Sequence, residues 1–175
     1  MASEPILIVG AGRVRHGDDA VGILAARLAA RRLSGLACCL LEQSGWDTLD
    51  ALQDRRLLVI VDAAEPTEQL PAGHWSRLDF SASPDALAGC PLRDTHTAGV
   101  GSMLRLARAL GRLPADVWIY AIAGERFAPE TPLSAPARAA ALQVVARIDS
   151  DVRAWAATNH VHAPPEPSRP ASIKS

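Results

Sequence analysis

Apolar runs and amphipathic stretches alternate along the chain. Residues 5–10, PILIVG, are apolar almost throughout, as a strand buried on both faces requires. From 19 to about 33, Val21, Leu24, Ala25 and Leu28 recur at helical spacing. LACCLLEQ (36–43) predicts a second strand and GWDTLDALQ (45–53) a short helix. RLLVIVDAA (56–64) stays apolar until Asp62 and predicts a third strand, while the loose alternation of 73–81 suits an edge strand. Small residues and prolines mark 83–93 as loop. A helix then carries Val100, Met103, Leu104, Ala107 and Leu110 on one face, and Gly111 and Pro114 stop it. DVWIYAIAG (116–124) predicts another buried strand, followed by a loop, and Ser134 opens a long helix to about Trp155. From His160 onward, Pro164, Pro165, Pro167 and Pro170 describe a disordered tail.

Strands apolar on both faces, alternating with helices, imply an α/β fold with a mostly parallel sheet covered on both sides. Right-handed connections bring every strand-to-helix loop to one edge of that sheet. The 175 residues suffice for one well-buried domain and not for two, so 1–159 reads as a single domain and 160–175 as its tail. A hydrophobic content of 49% against 21% charged residues marks a globular chain.

Charge and cysteine narrow the setting. A formal net charge of −1 gives no reason to expect nucleic acid or an anionic membrane as partner. Lys174 is the only lysine, and the arginines scatter along the chain. No apolar run approaches the roughly 20 residues that cross a bilayer, and the N-terminus lacks the basic segment of a signal peptide. Cys38, Cys39 and Cys90 are odd in number and lack Cys-x-x-Cys spacing, which argues against a disulfide framework or a structural zinc site. The expected compartment is the cytoplasm.

Candidate chemistry gathers where ligands of open α/β sheets sit, beyond the carboxyl ends of the strands. Asp18 and Asp19 follow the first strand, Asp62 ends the third, and His96 precedes the helix that begins near residue 100. Two carboxylates and an imidazole suit a borderline divalent metal such as nickel, zinc or iron. Each residue also has a simpler role. Asp18 can cap the following helix, and Asp19 in its first turn meets the helix dipole. Asp62 can merely start a loop, and a lone His96 can be a surface residue, with Thr95 or Thr97 capping the helix after it. A dinucleotide site is the rival reading of GAGRVR, since Gly10 and Gly12 form Gly-x-Gly and Glu42 could reach a ribose. Arg15 occupies the place of the third glycine, however, and two adjacent aspartates oppose a pyrophosphate at a helix start. Neither a Walker-type loop nor a Gly-x-Ser-x-Gly elbow is present.

Read together, ILIVGAGRVRHGDDAVG, LLVIVDA, THTAGVGSMLRLARALG and GERFAPETPLSAPARAA resemble the ordered blocks of the maturation endopeptidases of nickel-iron hydrogenases. The resemblance spans about 5–149. It implies a three-layer α/β/α sandwich around a mostly parallel, twisted sheet of about five strands. It also implies a peptidase that removes the C-terminal extension of a nickel-loaded hydrogenase large-subunit precursor and recognises the nickel already bound there. Asp19, Asp62 and His96 match the family's metal ligands and would carry the catalysis, with nickel arriving on the substrate and other divalent cations able to substitute. The family further implies a monomer whose partner is that precursor. Three departures stand out. Arg13 replaces the asparagine usual after Gly-x-Gly, the loop RVRHG is basic where apolar residues are common, and EQSGWD replaces the usual Asp-Gly-Gly-Thr turn. The alternatives are a nucleotide- or dinucleotide-binding α/β module and a non-catalytic relative acting as a binding partner.

Overall fold

The computed structural model describes residues 4–34, 36, 38–42, 46–83 and 99–161. Among the described residues the elements run β1 (Ile6–Gly10), a 3-10 turn (Gly17–Ala20), α1 (Val21–Arg32), β2 (Cys38–Glu42), α2 (Trp46–Ala51), β3 (Leu57–Ala64), β4 (Trp75–Asp79), α3 (Val100–Ala109), β5 (Asp116–Ala123) and α4 (Ala135–Thr158). Among the described residues the sheet has five strands in the order β2-β1-β3-β5-β4. Four run parallel, and β4 lies antiparallel at the edge against β5, where the loose alternation of 73–81 places it. β1 and β3 are buried along their whole length, as central parallel strands built on long apolar runs require.

Strand alternation divides the core into two layers. Ile6, Ile8, Leu57, Val59, Val61, Tyr120 and Ile122 face α1 and α4. Leu7, Val9, Leu58, Ile60, Val117 and Ile119 face α2 and α3, with Met103 and Leu104 packed on them. Helices thus cover both faces, giving the three-layer α/β/α sandwich.

Local chemistry sets the helix ends. Ser134 is buried and its Oγ accepts from the Ala137 N–H at 3.2 Å, the N-cap that starts α4; such a cap contributes about 1 kcal/mol. At the end of α3, Gly111 has φ of 64°. Its N–H donates to Arg108 O, and that of Arg112 to Ala107 O, so the helix closes as a Schellman turn. Leu110, expected on the buried face, lies on this turn instead and is 54% exposed. The residue before α3 is Gly99, whose extended backbone starts the helix without a side-chain cap; the threonines expected to cap it lie outside the described residues. Val161, expected to belong to the tail, is buried against the α1–α4 layer. Residues 162–175 lie outside the described residues.

Candidate active site at the carboxyl edge of the sheet

Two close approaches bring the acids to the ends of β1 and β3. A Cβ on Gly22 would lie 2.4 Å from both Ala11 O and Val61 O and 3.0 Å from Asp62 Cα. Only glycine therefore lets α1 pass directly over the end of β3. Gly12, with φ of 128°, folds back so closely that a Cβ would meet Asp19 O at 1.8 Å. The Ala11 N–H donates to Val61 O at 2.8 Å, extending the β1–β3 pairing into the loop. Asp19, in the turn after β1, and Asp62, in the neighbouring β3, are both almost fully buried, at 2% and 4% exposure.

Asp62 continues the alternation that turns Leu58 and Ile60 toward α3. Beyond Ile60 the side chains on this face become small: Asp62 sits beside Ala121 in register, and Ala64 beside Ala123. Asp62 Oδ1 accepts from the Ala63 N–H at 2.8 Å. His96 lies outside the described residues, as does the rest of 84–98.

Asp18 does something other than cap a helix. The residue preceding α1 is Ala20, which makes no side-chain cap, and the 3-10 turn lacks one as well. The Asp18 carboxylate instead accepts three backbone N–H groups from the far loop: Glu125 at 2.8 Å and Arg126 at 3.1 Å on Oδ2, and Ser134 at 2.6 Å on Oδ1. Burial pushes its carboxyl pKa up, but the hydrogen bonds from Glu125, Ser134 and Arg126 outweigh burial and hold it below the usual value. Backbone bonds complete the seam between the two loops. Gly17 N–H donates to Thr131 O, Asp18 N–H to Arg126 O, and Glu130 N–H to Arg15 O. Asp18 is a clamp.

Arg13, the departure in the glycine loop, places Nε 2.8 Å from Asp19 Oδ2. Its side chain is 36% exposed against 3% for Asp19, so an outer cation covers an inner anion. Helical spacing rules could not reveal the pair, because the five residues between the partners run through a loop with left-handed residues at Arg15 and Gly17.

What the arrangement can do follows from its donors. Among the described residues, no group of three or more His, Cys, Asp and Glu side chains converges to hold a metal ion. Two buried carboxylates are oxygen donors for part of a coordination shell. They fit a cation that arrives with further ligands better than one that needs a complete protein cage. The dinucleotide reading fits less well. The close approach that Gly12 permits is taken up by the chain's own Asp19 carbonyl, the place a pyrophosphate would need.

No protein-family model and no curated protein matches the sequence. Solved structures do match its shape. The nickel-iron hydrogenase maturation protease HybD from Thermococcus kodakarensis superposes with a TM-score of 0.68, at 19% identity, over 83% of this chain and 97% of that one. The hydrogenase maturating endopeptidase HybD from E. coli gives 0.66, at 20% identity, over 90% and 95%. The endopeptidase HycI from Escherichia coli gives 0.64, at 21% identity, over 83% and 89%. The chain has the fold of these maturation proteases. Among the described residues no helix is long and apolar enough to cross a membrane.

Proposed function

We propose that the chain is an endopeptidase that removes the C-terminal extension of a nickel-loaded hydrogenase large-subunit precursor. The observation that carries this reading is the pair of buried carboxylates, Asp19 in the turn that follows β1 and Asp62 in the neighbouring strand β3, on that shared fold. Nickel is the substrate's cargo: held between the precursor's ligands and these acids, it supplies Lewis-acid polarisation of the scissile carbonyl. Asp19 and Asp62 bind the metal-bearing end of the precursor. His96, which precedes α3 in sequence, is the proposed third donor. Asp18 holds the Asp19 loop in place through the three N–H bonds it accepts. A precursor without nickel lacks the group these carboxylates bind, so its tail is not positioned for cleavage.

The test is to incubate the protein with nickel-loaded and nickel-free precursor and follow loss of the C-terminal peptide. Cleavage is expected only of the loaded form, and Asp62→Asn and His96→Ala are each expected to abolish it. Equal cleavage of both forms would overturn nickel recognition, and retained activity in either variant would remove that residue from the mechanism.

A further inference from the structure

We propose that Arg13 gates Asp19 against bare divalent cations, so that the site admits a cation only when it comes wrapped in anionic ligands. Arg13 is the movable partner of the pair. Asp19 is held from behind, because its N–H donates to His16 O at 3.2 Å and its carbonyl lies where a Cβ on Gly12 would come within 1.8 Å. The Arg13 side chain reaches it from the more exposed side.

A free divalent ion approaching Asp19 meets the Arg13 guanidinium, with Nε 2.8 Å from Oδ2. To bind Oδ2 it must displace Arg13, and it offers that guanidinium no replacement partner. A cation enclosed by anionic side chains of a polypeptide does offer one. Arg13 can move from Asp19 to one of those anionic groups while the metal takes its place. The residue thereby determines specificity for a metal–polypeptide complex over the bare ion. This proposal rests on the peptidase reading for the identity of that complex, and on the Arg13–Asp19 pair alone for the gate.

The gate is measured without any precursor, by calorimetric titration of Ni2+ into the wild-type protein, Arg13→Asn, Arg13→Gln and Arg13→Lys, each also in an Asp19→Asn background. A half-exposed cation on a buried carboxylate lies between surface and buried pairs, so Asn or Gln should tighten Ni2+ binding roughly tenfold. Lys keeps the charge and should stay close to wild type. Adding Asp19→Asn should erase the gain. Two neutral variants guard against one that folds poorly, with thermal melts run alongside. The gate is overturned if folded Asn and Gln variants bind Ni2+ no more tightly than wild type, or if the gain survives Asp19→Asn. Tighter Ni2+ binding by Arg13→Asn, together with no cleavage of loaded precursor by wild type, keeps the gate and rejects the peptidase. Cleavage by wild type with unchanged Ni2+ affinity in the variants rejects the gate alone.

Discussion

Replacing Asp18 by asparagine tests whether the clamp rather than a helix cap is its role. The wild-type carboxylate, fully buried, accepts the N–H groups of Glu125, Arg126 and Ser134. Asparagine keeps one oxygen but turns an amide N–H2 toward donors that expect an acceptor. Losing a charge-assisted bond and stranding a buried donor costs on the order of 2–4 kcal/mol. For a domain of this size that corresponds to a fall in Tm of about 5–15 °C. Urea unfolding at pH 7 should show the loss in midpoint with an unchanged m value. The pH dependence has a definite sign. A carboxyl whose folded pKa is depressed adds stability above its unfolded pKa and loses it as pH falls through the folded value. The gap between wild type and Asp18→Asn should therefore hold from pH 8 to 5 and narrow below about pH 4. A difference under about 0.5 kcal/mol at pH 7 would match an ordinary surface change and refute the clamp. So would a gap that stays constant down to pH 3.

Two other perturbations probe the scaffold around the site. In Gly22→Ala the new Cβ would sit 2.4 Å from two backbone oxygens, neither of which can step aside. Its melting transition should be lost or lowered by well over 10 °C, corresponding to roughly 3 kcal/mol or more; a fall of under about 3 °C would mean that α1 does not pass as closely over β3. Tyr120 is the protein's single tyrosine, fully buried, and its hydroxyl donates to Asp151 Oδ2 at 2.7 Å. Burial, followed by the Asp151 bond and charge, pushes its pKa upward, so its contribution to stability falls as pH rises above about 10, where the unfolded side chain ionises. Absorbance at 295 nm should show no phenolate until the protein unfolds at alkaline pH, and a reversible titration near 10 in the folded state would contradict the burial.

Much of the fold is legible in the sequence because central parallel strands leave a plain mark. β1, β3 and β5 carry long apolar runs, whereas β4, with only loose alternation, lies at one edge of the sheet. Ser134 and Gly111 mark helix ends through local backbone chemistry that any window of a few residues contains. Leu110 does not follow its periodicity because the Schellman turn swings it out of the helical face. The site is less legible. Asp19 and Asp62 are visible as acids at strand ends, but the partners of Asp18 lie 107, 108 and 116 residues away, and nothing near Asp18 announces them. A helix cap is the local expectation, and a distant set of three N–H donors overrides it. The Arg13 pairing is short in sequence yet equally hidden, since a tight loop rather than a regular spacing creates it.

The same long separations set an order of events during synthesis. Both acids of the proposed site lie in the first 62 residues, whereas the donors that satisfy Asp18 reach to residue 134. Until β5 and the start of α4 have emerged and docked, a buried Asp18 would be a carboxylate without partners, which is unfavourable enough to keep the loop hydrated and open. Ser134 ties the two ends together, because it both donates to Asp18 and caps α4. The acid pair is therefore assembled by the last third of the chain. A nascent or truncated polypeptide ending before residue 134 carries both carboxylates without the geometry that joins them, so competence arrives only with a nearly complete fold.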